Sequence, residues 1–227
     1  MSRARGEPRR RASAVGKRRS LLVFTEGLRT EPGYLRHWHR LHRERAIVAI
    51  DPFHGQPLQL VEQAAARKAA DLRDARRGHG AAYDEYWCVF DVDEHPNIIR
   101  ALQIAEAREI NIALSNPCIE LWFVLHFQDQ HASVHRADAQ RTSADLLGCG
   151  KILTPAALDH LVAYYGDARQ RAWHLDKKHA LDGSPARSNP ASDVWRLIDR
   201  IRPSALRKRA QGRRPQSDRV AAVLEGD

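Results

Sequence analysis

Leu21-Leu22-Val23-Phe24-Thr25-Glu26-Gly27 decides how the rest of the chain is read. Four consecutive apolar residues run into a Thr-Glu-Gly turn. That is the pattern of a strand buried on both faces, as in a parallel sheet, ending at a turn. Three similar runs follow: Ala46-Ile47-Val48-Ala49-Ile50, Tyr86-Trp87-Cys88-Val89-Phe90 and Ile110-Asn111-Ile112-Ala113-Leu114. Helical stretches separate them. The first begins at Glu31-Pro32 and places Tyr34, Leu35, Trp38 and Leu41 on one face. The second, from about 58 to 77, is rich in Ala, Gln, Glu, Lys and Arg and is stopped by Gly78-His79-Gly80. The third spans 96–109, and a fourth, 119–127, follows the last strand. The order βαβαβαβα predicts an α/β fold, a mainly parallel sheet flanked by helices. After Gln128 no strand signal remains, and helical pieces near 136–147, 154–181 and 191–202 predict a C-terminal helical subdomain.

The expected organisation is a disordered basic tail over 1–19, an α/β domain over 20–127, the helical subdomain over 128–202 and a second basic tail over 203–227. The net charge of +9 is concentrated at the ends. Residues 1–20 hold eight Arg and Lys against Glu7, or +7; residues 203–219 hold six against Asp218, or +5. The remainder is therefore 9 − 12 = −3. Cationic ends suit a polyanion, because each Lys or Arg beside a phosphate releases a condensed counterion; they also suit a solubilising tail with no specific partner. No apolar run reaches the roughly 18 residues of a membrane span, and the start lacks the apolar region of a secretory signal. Cys88, Cys118 and Cys149 are far apart in sequence and form no CxxC pair, which points to a reducing, cytoplasmic setting.

Three acids follow strands: Glu26 after the first, Asp91 and Asp93 after the third. In open parallel sheets, ligands bind at the carboxyl edge. Residues i and i+2 share a face, so Asp91-x-Asp93 would aim two carboxylates one way. With Glu26 they make an oxygen-rich site that prefers Mg²⁺ or Mn²⁺ to zinc. Gly27 would let backbone approach a phosphate closely. Acids after strands also serve as turn formers and helix caps, so the pattern alone leaves both roles open.

On longer motifs the chain resembles the RloB-like family. The matching segments are Val23-Phe24-Thr25-Glu26-Gly27 with Thr30-Glu31-Pro32 and Tyr34, and the run from Trp87 through Asp91-Val92-Asp93-Glu94-His95 to Pro96. Ser115-Asn116-Pro117-Cys118-Ile119-Glu120-Leu121-Trp122 and Leu125-His126-Phe127 follow, then Asn189-Pro190-Ala191-Ser192-Asp193-Val194, so that the resemblance covers about residues 20–202. That family is similar to Toprim domains, with a glutamate after the first strand and Asp-x-Asp after the third. The resemblance implies a Toprim-like fold and a Mg²⁺- or Mn²⁺-dependent nuclease that acts on RNA, such as tRNA, or on DNA. It also implies a place in restriction-associated antiviral defence. Ala191 stands where the family pattern has a serine, which removes one hydroxyl from any role there.

Glu26, Asp91 and Asp93 are the expected catalytic and metal-binding residues, with Glu26 suited to acid–base work. Gly27, Arg29, His95, Asn116, Glu120 and His179 are candidates for support. His95 would be a local hydrogen-bond partner, Asn116 would hold a phosphate or cap a helix, and Glu120 would be a fourth acid or pair with a base. Arg29 and Thr30 would touch phosphate or begin the helix. His179, with His174, Lys177 and Lys178, would donate a proton, contact nucleic acid or lie on a solvated face. His37, His39 and His42 lack further ligands for zinc, and no Walker loop is present. The alternative is a non-catalytic nucleic-acid-binding or assembly subunit beside a partner ATPase.

Overall fold

The computed structural model describes residues 18–92 and 95–202. Most of the two basic tails, together with Asp93 and Glu94, lies outside the described residues. β1 (Arg19–Thr25), β2 (Ala46–Ile50), β3 (Glu85–Asp91), β4 (Asn111–Asn116) and β5 (Ala191–Ser192) form one sheet in the order β2-β1-β3-β4-β5. The first four strands are parallel and β5 is antiparallel to β4. Both faces are covered, so each strand alternates between two cores. Leu21, Val23, Trp87, Val89 and Ala113 face one; Leu22, Phe24, Tyr86, Cys88, Phe90 and Leu114 face the other. This double burial is what makes the strands read as unbroken apolar runs.

The second face is covered by α2 (Pro57–Arg76) and α3 (Ile98–Ala107). The first is covered by α1 (Thr30–Leu41), α4 (Ile119–Val124), α6 (Pro155–Ala163), α7 (Tyr165–Leu181) and α8 (Val194–Ile201). The helix α5 (Arg136–Leu147) packs on α4. Helices beyond Gln128 thus build the same core as α1 and the sheet. No helix among the described residues is long and apolar enough to cross a membrane.

Three expectations need correction. Arg18 and Arg19 are in the described fold: β1 begins at Arg19, whose backbone N–H donates to the Arg45 carbonyl and whose guanidinium meets Glu85. The segment after Gln128 is not wholly helical, because β5 adds to the sheet through Ala191 paired with Asn116 and Ser192 with Ser115. The single helical stretch 154–181 is two helices that meet at Tyr164.

The first core centres on Trp122 and Tyr34, both fully buried, with Trp122 Nε1–H donating to Tyr34 Oη at 2.9 Å. Tyr34→Phe should cost about 1–3 kcal/mol, because the buried indole N–H loses its acceptor. Denaturant unfolding followed by tryptophan fluorescence checks this; an unchanged midpoint would show that the N–H finds another partner.

Candidate functional site

β1 leads through α1 to β2 on one side, and β2 leads through α2 back across to β3 on the other. The strand order therefore reverses between β1 and β3. At such a switch point the connections diverge and leave a crevice beyond the strands' carboxyl ends. Glu26, just past the end of β1, and Asp91, the last residue of β3, sit there, and Asp91 N–H donates to Glu26 Oε2 at 3.2 Å. The other Glu26 oxygen, Oε1, accepts from His95 Nε2 at 3.1 Å. Asp91 Oδ1 accepts from Ile119 N–H at 2.9 Å, and its Oδ2 lies 3.5 Å from Arg136 Nη2.

Two further acids join them. Glu31, in the first turn of α1, reaches back so that its Oε1 accepts from Gly27 N–H at 3.0 Å. A Cβ on residue 27 would collide with that carboxylate. Gly27 therefore makes room for Glu31, which is a different reason for glycine from close approach to a phosphate. Glu120, in the first turn of α4, is buried and its Oε2 has no hydrogen-bond partner among the described residues. Burial raises the Asp91 carboxyl well above the ordinary range, and the charges of Glu31, Glu26 and Glu120 push it further against the opposing pull of Arg136. Glu31 is raised for the same reason, burial first and then Glu26 and Glu120, despite the Gly27 hydrogen bond. Mutual repulsion shows that the four acids share one field.

They line a cavity of about 640 Å³ whose other wall is cationic and apolar. Arg29 precedes α1, Arg136 opens α5, and Lys151 and Ile152 come from the segment after α5. Gly148, at φ 63°, ends α5 in the left-handed conformation that glycine adopts without strain. Thr30 Oγ1 then donates to the Lys151 carbonyl at 2.8 Å, which ties this segment to the start of α1.

Of the residues singled out in the sequence, the structure places Glu26, Gly27, Arg29, Asp91 and Glu120 around the cavity, with His95 on Glu26. Asp93 lies outside the described residues. Asn116 and His179 do not line this cavity. Asn116 Nδ2 donates to the Arg187 carbonyl, and His179 Nε2–H donates to the Pro190 carbonyl from a buried position. His179 is therefore no part of a solvated basic face. Both residues fasten the segment that carries β5, where Asp193 takes Arg187 and Arg196. Ala191 is buried there and pairs through its backbone, so a hydroxyl at this position is not needed. Glu31, Arg136, Lys151 and Ile152 were missing from the sequence candidates.

The donor chemistry fits a hard cation, since every candidate ligand is a carboxylate and one buried oxygen has no partner among the described residues. Among the described residues, no three His, Cys, Asp or Glu side chains converge closely enough to hold a metal ion. The acids border the cavity instead of meeting at a point.

The fold and site define a mainly parallel α/β domain with an acidic crevice at its strand-order reversal. The profile of the family described as RloB-like protein matches residues 21–201, and the chain belongs to that family. No curated protein and no solved structure matches the chain.

Proposed function

We propose that the chain is a divalent-cation-dependent nuclease of the Toprim type, acting on RNA such as tRNA or on DNA, as an effector in antiviral or abortive-infection defence. The observation that carries this is the cavity itself: four carboxylates at the switch point face Arg29, Arg136 and Lys151. Acids alone would repel a phosphodiester, and cations alone would only bind it. Asp91, Asp93 and Glu26 would hold the Mg²⁺ or Mn²⁺. When bound, the ion supplies Lewis acidity and a more acidic water. Glu26 Oε1, hydrogen-bonded to His95, holds or releases the proton of the attacking or leaving oxygen. Arg29, Arg136 and Lys151 bind the phosphate oxygens and orient the scissile bond. Glu31 and Glu120 keep the crevice negative and so favour occupation by a cation.

One observation favours a second reading, a nucleic-acid-binding or assembly subunit beside a partner ATPase. Asp91 already has partners in the Ile119 N–H and Arg136. Incubation of the purified protein with end-labelled RNA and DNA, in Mg²⁺, Mn²⁺ or chelator, tests both. Cleavage that needs the cation is the expected result. Binding without cleavage under every condition would sink the nuclease and support the second reading.

A further inference from the structure

Exposed aliphatic side chains need no explanation when they stand singly, but two line the mouth of the crevice together. Leu28 is 70% exposed and Ile152 is 64% exposed, and both border the cavity that holds the four acids. Leu28 lies in the turn between β1 and α1, and Ile152 in the segment between α5 and α6. The hydrogen bond from Thr30 Oγ1 to the Lys151 carbonyl, at 2.8 Å, holds these two segments against each other. Each aliphatic residue has a cation next to it in the chain, Arg29 beside Leu28 and Lys151 beside Ile152. All four are exposed, whereas Glu31, Asp91 and Glu120 are buried. The crevice therefore has an acidic floor and a rim of cations and aliphatic carbon.

The two rim cations differ from most others on the surface. Arg67, Arg169, Arg171 and Arg196 each meet a carboxylate. Among the described residues, the Arg29 guanidinium and the Lys151 ammonium have no ion pair and no hydrogen bond. A phosphate arriving at the rim displaces no internal partner from either. Free cations with aliphatic surface beside each match a polymer in which phosphates alternate with flat, weakly polar rings. In a duplex those rings are stacked on one another and their faces are hidden. An unpaired nucleotide offers its faces to apolar side chains. Leu28 is two residues from Glu26, so a base held there adjoins the carboxylate edge.

We propose that Leu28 and Ile152 hold the face of an unpaired nucleobase at the crevice mouth while Arg29 and Lys151 hold the phosphates beside it, so that the substrate is engaged in a loop or single-stranded stretch and not within a duplex. That the engaged strand is then cut rests on the nuclease reading; the preference in binding does not. A loop has already given up the stacking and pairing that a duplex would have to lose before a base could reach the rim. The acids on the floor repel phosphate, and the rim cations offset that repulsion where the backbone enters.

The test uses the full chain and the double variant Leu28→Ser/Ile152→Ser. The probes are fluorescein-labelled RNA and DNA hairpins of about 30 nucleotides with a loop of about eight, a fully paired duplex with as many phosphates, and the same hairpin with an abasic loop. Affinities are measured in Ca²⁺, which takes oxygen ligands, and in chelator. The parent should bind the looped probe more tightly than the paired or abasic one. The serine variant should bind the looped probe about tenfold more weakly and the other two as the parent does. Leu28→Met/Ile152→Met, which keeps flexible apolar surface, should bind like the parent. Only exposed carbon is removed, so melting temperatures should hold; Leu28→Gln/Ile152→Gln is an independent pair that should lose affinity to the same extent. Equal binding of looped and paired probes by the parent would overturn the proposal, as would unchanged binding of the looped probe, or equal weakening of all three, in the variants. Self-association of the parent that the serine variant loses, with binding of the looped probe unaffected, would assign the rim to a contact between copies and also overturn it. In Mg²⁺, cleavage should fall within the loop, and equally fast cleavage of the paired probe would count against the proposal. Absence of cleavage from every probe would count against the nuclease reading alone, because the affinities are read without it.

Discussion

Asp91→Asn should remove all cleavage and all stabilisation by Mg²⁺, yet leave the metal-free protein at least as stable as the parent. The reasoning starts from what the carboxylate contacts. Its Oδ1 accepts from Ile119 N–H, a bond that an asparagine carbonyl can keep at nearly constant volume. What the substitution deletes is a negative charge in a buried place, surrounded by Glu31, Glu26 and Glu120. The attraction of Arg136 at 3.5 Å is lost as well, but that side chain is partly exposed and solvent screens it. Relief of burial and repulsion should dominate, by about 0.5–2 kcal/mol, the scale of ordinary point substitutions. A carboxylate with a purely structural role predicts the reverse.

The pH dependence has a definite sign. Asp91 and Glu31 both have folded carboxyls above the ordinary range. The native state therefore holds their protons more tightly than the unfolded chain does. Their contribution to stability is complete below the unfolded carboxylate pKa and is lost as pH rises through the folded values. In chelator, the difference between parent and Asp91→Asn should widen in the variant's favour as pH rises through that window. Glu31→Gln, which keeps an oxygen for Gly27 N–H, should shift the same way. Added Mg²⁺ should then raise the melting temperature of the parent alone, since a ligand of the native state stabilises it. A destabilised Asn variant, with melting of both proteins indifferent to Mg²⁺, would sink the shared-cation site.

The strands were legible because burial on both faces leaves no polar alternation in residues such as Leu21–Phe24 or Tyr86–Phe90. The acids at their ends were legible for the same reason, since the end of an apolar run locates the carboxyl edge. β5 was not, because Ala191 and Ser192 have no strand preference and pair only through long-range closure onto β4. The break at Tyr164 hides in a continuous helix-forming stretch. Glu31 read only as the start of a helix, and local sequence does not show that it folds back onto Gly27. Arg136 and Lys151 reach the cavity from more than a hundred residues beyond Glu26, a juxtaposition that only the tertiary fold creates. His179 did carry a usable signal. It follows Leu175 by four residues and Ala172 by seven, on the buried stripe of α7, but the neighbouring Lys177 and Lys178 drew attention to the charged face.

Glu26→Gln should lower kcat by about 10²- to 10⁴-fold, the usual worth of a positioned acid–base group, with little change in KM. The two oxygens of Glu26 make separate contacts, Oε1 with His95 and Oε2 with Asp91 N–H. An amide keeps one acceptor and replaces the other by a donor, so the variant should lose one hydrogen bond at about 1 kcal/mol and remain folded. It cannot exchange a proton with the reacting oxygen. On the proposed reading Arg29, Arg136 and Lys151, which also line the cavity, would bind the phosphate and are untouched by the substitution, which is why KM should hold while kcat falls. His95→Ala separates the roles within the pair: it removes the partner of Oε1 but leaves the carboxylate, and so should lower kcat less than Glu26→Gln does. Full kcat in Glu26→Gln would show that Glu26 only braces β3 through the Asp91 N–H and that the proton is handled elsewhere.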